Sequence, residues 1–459
     1  MNIEPKIFKA YDIRGLAQSE LPPELAERVG RAVVEFTGAD VVVVGRDMRT
    51  TSPQLLKSLI AGITAAGADV VNIGLTSTPM FYYAVGAQFG GADSGASVKG
   101  AGIMVTASHN PKEYNGFKMV RANLLPIGEG SGMEEIKNLV MSKEFKDGAE
   151  GNVMDIDVRE EYVAKHLDLV LRRDVGGPRV VFDAGNGMSG YVTPGIIKAY
   201  GLEKKSKKLF FEPDGSFPNH EPNPIKPENL IALANAVRKE KADLGVAYDG
   251  DSDRVGFVDE NGEQIRGDIV TALIAPEALA EYPGAAVLYD LRSSRVVAEA
   301  IKAAGGKPVM SRVGHAFIKA QMNKLDACFA GEFSTHYYFK DFFFAESSDL
   351  AVLYILRIMK RTGKKISELV APLMRYVHSG EINFSVKDKD GLMKELESVY
   401  GGQVKEVLRL DGLRFDFDSW WFNVRASNTE PLVRLCLEAK TEDEMKAKVE
   451  EVSLIINRF

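Results

Sequence analysis

The chain has 459 residues, of which 45% are hydrophobic and 26% are charged, proportions typical of a folded globular protein rather than a disordered one. Its formal net charge of -7 argues against a nucleic-acid partner, because nucleic-acid-binding proteins present a basic face to the phosphate backbone. The first residues carry no apolar secretory segment, and no apolar run reaches the roughly 18 residues of a membrane span, so we expect a cytoplasmic protein without a membrane partner.

Apolar strand-like runs alternate with amphipathic helical runs in the first 150 residues. The sequence predicts helices over residues 21–36 and 52–66 and strands over residues 41–44 and 68–74. Continuous Val-rich runs that alternate with helices are typical of parallel strands buried on both faces. We therefore predict a doubly wound α/β domain over residues 1–150, which ends in a polar stretch without apolar periodicity.

The alternation of strands and helices recurs twice, and the pattern then changes. Two more α/β domains are predicted over residues 151–260 and 261–370. Beyond them, apolar and polar residues alternate singly, which is typical of antiparallel strands, and the chain closes with an amphipathic helix over residues 442–457. Residues 371–459 are therefore predicted to form an α+β domain of a different type.

Ser108 follows the apolar run 102–105 and stands in a short segment of turn-forming residues. A serine hydroxyl is a poor nucleophile unless a base or a positive environment assists it. His109 is adjacent to this serine, and Lys118 lies on the next apolar stretch. Doubly wound sheets bind ligands beyond the carboxyl ends of their strands, which is where the serine is predicted to lie. The segment is either a reactive loop or a surface turn, because such short motifs also occur by chance.

Three carboxylates stand at every second position directly after the apolar run 244–247. Asp249, Asp251 and Asp253 offer the hard oxygen ligands that Mg²⁺ and Ca²⁺ prefer. An EF-hand loop is disfavoured, because its sixth position requires Gly and carries Arg254 here, with a strand-like run after it. A solvated acidic turn is also disfavoured, because this much negative charge beside an apolar run repels itself unless a cation neutralises it. Arg254 either neutralises a bound anion or pairs with the neighbouring aspartates.

Five motifs of this sequence resemble those of the α-D-phosphohexomutases and stand in that family's order. They are KAYDIRG at 9–15, TASHNP at 106–111, DGDSDR at 249–254, GEFSTH at 331–336 and RASNTEP at 425–431. The resemblance runs nearly end to end, and it is nearest the bacterial and archaeal phosphomannomutase/phosphoglucomutase branch. It implies three α/β domains and a C-terminal α+β domain around a central cleft.

The resemblance implies that Ser108 carries a phosphoryl group. Asp249, Asp251 and Asp253 would then give oxygen ligands to Mg²⁺, and a phosphate oxygen on Ser108 would complete the protein's share of the metal site. Arg254 would neutralise the phosphoryl group further. Transfer of such a group depends mainly on positioning and on cations around its oxygens.

The same resemblance places Lys118, His109, His315 and His336 in or beside the cleft. A sugar hydroxyl that attacks a phosphoryl group must lose its proton, so a general acid/base is needed. We expect Lys118 or His336 to fill this role, and the sequence leaves the choice between them open.

The resemblance implies two groups of substrate contacts, one that binds the sugar ring and one that binds the phosphate far from Ser108. Glu332 and Ser334 resemble the family's sugar-binding pair, although Phe333 stands where Met is common and Thr335 where Gly is common, which leaves the hexose preference open. Residues 425–429 combine a guanidinium, hydroxyls and an amide, which suits an anion cradle, although a capped turn has the same composition. The full predicted set is Tyr11, Arg14, Arg292, His315, Glu332, Ser334, Arg425, Ser427, Asn428, Thr429 and Arg434.

Together these expectations describe a mutase, an isomerase whose partner is a small phosphosugar. Phosphorylated Ser108 would convert hexose 1-phosphate, of mannose and/or glucose, into a hexose 1,6-bisphosphate. This intermediate, which is also the expected activator, would turn over in the cleft and leave as hexose 6-phosphate. Turnover requires the C-terminal domain to open, so a hinge is predicted near residue 370, and we expect a monomer or homodimer. The alternatives are a phosphoglucosamine mutase, a phosphatase and a non-catalytic sugar-phosphate-binding homologue.

Overall fold

The computed structural model describes residues 3–90, 99–142, 144–404, 406–426 and 432–459. Within them the chain forms four sheets in sequence order, and helices pack on each. No helix in these ranges has the length and the apolar character needed to cross a membrane. The predicted arrangement of three α/β domains and a C-terminal α+β domain is confirmed.

The first domain is built on a mixed sheet. Its elements are β1 (Ile13–Leu16), α1 (Pro23–Thr37), β2 (Val41–Arg46), α2 (Ser52–Ala65), β3 (Asp69–Leu75), α3 (Thr78–Phe89), β4 (Gly100–Val105), β5 (Tyr114–Arg121), α4 (Met133–Ser142) and β6 (Val153–Asp155). Strands β4, β2, β3 and β6 are parallel, whereas β5 runs antiparallel to both β4 and β1. The loop 106–113 is too short for a helical crossover, so β5 has to return antiparallel, whereas the strands predicted from the Val-rich runs, β2 and β3, pair in parallel.

The second domain repeats this plan with a shorter hairpin. Its elements are α5 (Arg159–Leu169), β7 (Val180–Asp183), α6 (Ser189–Ala199), β8 (Ser206–Leu209), α7 (Ile231–Glu240), β9 (Leu244–Tyr248), β10 (Val255–Val258) and β11 (Gln264–Ile265). Strand β7 pairs in parallel with β8 and β9, and β10 returns antiparallel to β9. The hairpin loop 249–254 therefore carries its aspartates at the end of the sheet.

The third domain places its own hairpin loop at the end of buried strands. Its elements are α8 (Gly267–Glu281), β12 (Ala286–Asp290), α9 (Arg295–Ala303), β13 (Lys307–Ser311), α10 (His315–Leu325), β14 (Phe329–Gly331), β15 (Tyr337–Phe339), β16 (Ala345–Glu346), α11 (Ser348–Thr362) and α12 (Ile366–Val370). Strand β12 is parallel to β13 and β14, and β15 is antiparallel to β14. The loop 332–336 between β14 and β15 is thus the third of three comparable hairpin loops.

The predicted limits of the domains fall close to the edges of these sheets. Strand β6 pairs with β3 of the first sheet, although the predicted boundary at residue 150 precedes it. Strand β11 pairs with β10 of the second sheet, beyond the boundary predicted at residue 260. Each of these two sheets therefore takes up a short edge strand that lacks a strong apolar pattern. The boundaries otherwise stay predictions.

The C-terminal domain is built on an antiparallel sheet. Its elements are β17 (Val377–Ser385), α13 (Lys389–Tyr400), β18 (Val407–Leu408), β19 (Leu413–Asp416), β20 (Trp420–Ala426), β21 (Leu432–Ala439) and α14 (Glu442–Ile456). The strand order is β17-β21-β20-β19-β18, and every pairing is antiparallel. Single alternation of apolar and polar residues produces this arrangement, because one face of each strand packs on the helices.

The apolar core divides at the last domain. One continuous cluster runs through all three α/β domains and includes Phe81, Phe182 and Phe329. The C-terminal domain has a separate cluster around Phe415 and Phe422. Side chains that share a close-packed core move together, so the three α/β domains form one packing unit.

Polar contacts join the C-terminal domain to the third domain. The backbone N–H of Arg295 donates to Glu438 Oε1 at 3.0 Å, and its guanidinium donates to the carbonyl of Trp420 at 2.9 Å. His378 Nε2 lies 2.8 Å from the carbonyl of Arg292. These contacts bring the arginines of both domains to one side of the cleft.

Candidate active site

Ser108 is held in a strained conformation at the point where two hairpin loops meet. Its φ of 52° lies in the left-handed region, which is costly for a residue with a Cβ atom and is a form of strain found at functional sites. The hydroxyl donates to Asp249 Oδ2 at 2.9 Å and lies 3.1 Å from Nδ1 of His109. Gly250 permits this approach, because a Cβ there would lie 2.5 Å from the carbonyl oxygen of Ser108.

Arg49 holds the backbone of the segment 106–114 that carries Ser108, which is called the serine loop below. Its buried guanidinium lies 3.2 Å from Asp47 through Nε. The other two nitrogens donate to four loop carbonyls, those of Ser108 (2.9 Å), Asn110 (2.6 Å), Pro111 (2.7 Å) and Tyr114 (3.0 Å). Buried carbonyls need donors, and one planar fork supplies four of them here. The position of the serine therefore depends on a residue of another loop.

The three aspartates of the second domain form a buried carboxylate cluster. Each of Asp249, Asp251 and Asp253 offers one oxygen, and these oxygens lie within 4.8 Å of one another. Burial, followed by the charges of Asp253 and Asp251, raises the pKa of Asp249 well above its ordinary value. Lys118 Nζ contacts the cluster, at 2.6 Å from Asp251 Oδ2 and also against Asp253. The Lys118 ammonium thus compensates part of the negative charge of the cluster.

These residues fit a divalent cation. Oδ1 of Asp251 is buried and accepts no hydrogen bond from any residue that the structure describes. A buried carboxylate oxygen without a partner is costly, and a cation with oxygen ligands would satisfy this atom. The hydroxyl of Ser108 borders this cluster through Asp249. The donor set is therefore that of a hard-metal site.

The two candidates for general acid/base both carry a proton in this arrangement. Burial opposes the charge of Lys118, but Asp251 and Asp253 raise the pKa of its ammonium above the ordinary value. Burial and Arg254 likewise oppose the charge of His336. Asp253 at 3.4 Å and Glu332 at 3.0 Å flank its ring and raise its pKa to about 9.

His109 differs from these two candidates in its charge. Burial, Arg254 and Arg14 lower the pKa of His109 well below the ordinary value, so its ring is neutral beside the Ser108 hydroxyl. Arg254, the last residue of the hairpin loop 249–254, links that loop to the hairpin loop 332–336, with Nε 3.9 Å from Asp249 Oδ2 and 3.2 Å from His336 Nε2. Three positive side chains and one neutral imidazole therefore surround the serine and its carboxylates.

A cleft of about 580 Å³ opens onto this cluster between the first and third domains. Its lining includes the predicted residues Tyr11, Arg14, Ser108, His109, Lys118, Asp253, Arg254, His315 and His336. Tyr11 crosses the cleft, because its hydroxyl donates to the carbonyl of Val313 at 3.0 Å and its ring lies 5.5 Å from that of His315. Arg14 donates to Asn110 Oδ1 at 2.6 Å and so contacts the serine loop. A volume of this size is ordinary for a small-molecule site.

The predicted sugar-binding loop is tightly held. Both oxygens of Glu332 have protein donors, with Gly314 N–H at 3.1 Å on Oε1 and the Tyr338 hydroxyl at 2.7 Å on Oε2. Ser334 Oγ lies 3.1 Å from His336 Nδ1. Thr335 adopts a φ of 69°, which explains why a small residue suits that position better than a branched one.

His315 lies beside a buried ion pair of the third domain. Its Nδ1 is 3.6 Å from Glu346 Oε1, and Lys319 Nζ contacts the other oxygen of this carboxylate at 2.9 Å. Burial and Lys319 lower the pKa of His315 well below its ordinary value. A neutral imidazole therefore faces the cleft at this point.

The predicted phosphate-binding arginines converge on one carboxylate. Arg292 pairs with Asp290 at 2.7 Å, and Asp290 also accepts the backbone N–H of Phe333 at 2.8 Å. Arg425 and Arg434 are direct cross-strand partners on β20 and β21. All three guanidiniums face Glu381 on β17, at 3.5 Å, 3.1 Å and 3.3 Å respectively. The rest of the predicted cradle, Ser427, Asn428 and Thr429, lies outside the described residues.

The chain matches four family models in consecutive order. They describe the α/β/α domains I, II and III and the C-terminal domain of phosphoglucomutase/phosphomannomutase, over residues 5–147, 160–262, 266–376 and 381–455. The chain belongs to the phosphoglucomutase/phosphomannomutase family. Family membership confirms the predicted enzyme class, a mutase among the isomerases.

Relatives and solved structures agree along the whole length. A phosphomannomutase of Methanocaldococcus jannaschii is 39% identical over 460 residues, which cover 99% of this chain and 98% of that protein. A phosphomannomutase of Escherichia coli K12 is 38% identical over 458 residues, covering 98% of each. A crystal structure of a phosphoglucomutase/phosphomannomutase family protein from Burkholderia thailandensis, 34% identical, has a TM-score of 0.88 and covers 100% of this chain and 98% of its own.

Two residues that organise the site of this phosphoglucomutase/phosphomannomutase family member were missed by the sequence reasoning. Arg49 follows β2 closely, but an arginine at a strand end usually gives only surface charge, and its four carbonyl partners are far away in sequence. Glu381 stands in a run of alternating residues that indicates only a strand. A charged residue close to the end of a buried strand, as with Arg49, is the one signal that the sequence offered.

Proposed function

We propose that this enzyme interconverts hexose 1-phosphate and hexose 6-phosphate, of mannose and/or glucose, through phosphorylated Ser108 and a hexose 1,6-bisphosphate. The observation that carries this proposal is the contact between the Ser108 hydroxyl and Asp249 at 2.9 Å, inside a cluster of three carboxylates at the base of a cleft. A nucleophile, a cation site and a sugar-sized cavity are thereby joined.

The first step of the proposed reaction transfers the phosphoryl group from Ser108 to the free hydroxyl of hexose 1-phosphate. The bond between phosphorus and Ser108 Oγ breaks and a bond from phosphorus to the sugar oxygen forms. The general acid/base gives a proton to Ser108 Oγ and takes up the proton that the sugar hydroxyl loses, so it ends the step in its starting state. His336 carries a proton beside the site and suits the acid role toward the departing serine oxygen, with Lys118 as the other candidate. The second step reverses these changes with the other phosphate of the bisphosphate.

Cations around the transferred group are the main stabilising influence in this scheme. Arg254 lies beside both Asp249 and His336, where its charge favours the phosphoryl oxygens. Asp249, Asp251 and Asp253, with a phosphate oxygen on Ser108, would hold Mg²⁺. The ion would supply positive charge to the transferred group when bound.

The distal phosphate and the sugar are proposed to bind on the far side of the cleft. Arg425 and Arg434 supply charged forks, and Arg292 adds a third from the other domain. We propose that Ser427, Asn428 and Thr429 complete this cradle. Glu332 and Ser334 would contact ring hydroxyls.

The experiment is a product analysis with mannose 1-phosphate, glucose 1-phosphate and glucosamine 1-phosphate, each primed with the matching bisphosphate and Mg²⁺. Hexose 6-phosphate from either of the first two supports the proposal, and the names of the relatives favour mannose. Product from glucosamine 1-phosphate alone would identify a phosphoglucosamine mutase instead. Free phosphate in place of sugar phosphate would indicate a phosphatase, and the lack of any product would indicate a non-catalytic binder.

A further inference from the structure

Glu381 occupies the centre of the arginine cluster without any place in the proposed reaction. Its carboxylate lies 3.1 Å from Arg425 and 3.3 Å from Arg434 within its own domain, and 3.5 Å from Arg292 of the third domain. One side-chain anion therefore contacts all three guanidiniums that are proposed to bind the distal phosphate.

These contacts are shielded from solvent. The side chain of Glu381 is 22% exposed, and those of Arg425 and Arg292 are 12% and 7% exposed. Burial opposes the charge of Glu381, but Arg292, Arg425 and Arg434 lower the pKa of its carboxyl below the ordinary value. The cluster therefore holds a carboxylate at neutral pH, and its charge is screened less than that of a surface pair.

The guanidiniums differ in what else they contact. Arg292 already has a close partner in Asp290, at 2.7 Å, so it does not depend on Glu381 for a counter-ion. Arg425 has only a distant second carboxylate among the described residues, that of Asp411 at 3.9 Å. Glu381 is thus the nearest carboxylate to Arg425 among the described residues.

We propose that Glu381 is a resident counter-ion that competes with the distal phosphate of the substrate for the arginine cluster. This inference rests on the proposed function and explains how that site can release its ligand. A bisphosphate must leave the cluster in order to turn over, and the same three arginines without Glu381 would hold a phosphate dianion more tightly. Glu381 returns to the guanidiniums when the phosphate leaves, so Arg425 regains its nearest described carboxylate on release.

The test compares the wild type with Glu381→Gln, which removes the charge and keeps the shape. Inorganic phosphate is the probe, and its dissociation constant is measured by calorimetry on the full chain. We expect phosphate to bind Glu381→Gln at least about fivefold more tightly, because an anion is removed from beside the arginines. KM for the hexose 1-phosphate should fall by a similar factor, and kcat should fall because release slows.

Three further variants make the result specific. Glu299→Gln removes a carboxylate that pairs with Arg375 in the neighbouring part of the chain, and phosphate binding should remain within twofold of the wild type. Glu381→Asp withdraws the carboxylate by one methylene and should tighten phosphate binding by a smaller factor, which keeps the test available if Glu381→Gln does not fold. Adding Arg425→Ala to Glu381→Gln should abolish the gain, which would localise it to this cluster.

The outcomes separate this inference from the proposed function. Unchanged or weaker phosphate binding in the folded Glu381 variants would overturn the counter-ion role, even if the wild type is an active mutase. Tighter binding that survives the Arg425→Ala addition would also overturn it. A wild type without hexose 6-phosphate product would overturn the proposed function, while the phosphate titration would still report on Glu381.

Discussion

Replacement of Arg49 by lysine is expected to disable the serine loop while leaving the fold in place. The guanidinium donates to four carbonyls of that loop, at distances from 2.6 to 3.0 Å. A lysine ammonium keeps the charge but has a compact head with three donors, so it cannot reproduce a planar fork that reaches both sides of the loop. We expect at least two of the four carbonyls to lose their donor.

The magnitude follows from the number of bonds lost. Hydrogen bonds to charged groups contribute about 1.5–3 kcal/mol each, so two of them amount to about 3–6 kcal/mol. The affected backbone is a hairpin loop rather than the core, so most of this loss should appear as displacement of the loop. Because about 1.4 kcal/mol corresponds to a factor of ten, the lower figure predicts a fall of about 100-fold in kcat/KM.

The assay measures kcat/KM together with the free energy of unfolding in urea. Arg46→Lys is the matched control, because Arg46 is the last residue of β2 and, among the described residues, its guanidinium donates only to the carbonyl of Asp47, outside the serine loop. The control should remain within threefold of the wild type. An Arg49→Lys enzyme that also stays within threefold would show that the loop does not depend on these four bonds, and the reasoning would be wrong.

Three further predictions concern the nucleophile, the metal and the pH response. Ser108→Ala should lower mutase activity by well over tenfold and should lose the single added phosphate that intact mass spectrometry is expected to find on the native chain; a smaller loss excludes the phosphoserine role. Asp251→Asn should reduce the rise in Tm that Mg²⁺ gives the wild type, because a carboxylate ligand is removed, and an unchanged rise would contradict the proposed metal site. Burial and Arg266 lower the pKa of His378 from 6.5 to about 4, so its contribution to stability is present above pH 6.5 and is lost as the pH falls toward 4. Between pH 7.5 and pH 5 this should cost about 2 kcal/mol, and a His378→Gln variant with the same pH dependence as the wild type would refute it.

Local sequence patterns predicted those parts of the site that lie within one loop. Ser108 and the three aspartates each follow a buried strand directly, so a pattern of a few residues was enough to mark them as a pair of loops. The contact between Ser108 and Asp249 joins residues more than a hundred positions apart, and only the resemblance to a known family placed them together. The apolar pattern also did not predict that β5 runs antiparallel, because the length of the loop between β4 and β5 determines the direction of the strand.

The sequence did not predict clusters of charged side chains that come from several strands. The environment of Glu381 combines Arg292 from one domain with Arg425 and Arg434 from two strands of another, and none of these spacings forms a motif. The paired ammonium of Lys118 was similarly unforeseen, because its aspartate partners belong to the second domain. Electrostatic surroundings are a property of the assembled tertiary structure, and pKa shifts follow from them rather than from residue type.

The division of the apolar core at the last domain has an energetic consequence for any movement there. When two surfaces that meet through hydrogen bonds separate, water can satisfy the exposed groups, so the net free-energy cost per bond is small. Separating a shared hydrophobic core costs about 25 cal/mol for each Å² of apolar surface that becomes exposed to water. The contacts of Arg295 with Glu438 and Trp420 are of the first kind. Any movement of the C-terminal domain would therefore leave its own apolar interior intact, whereas the ion pair of Arg292 with Glu381 would have to separate.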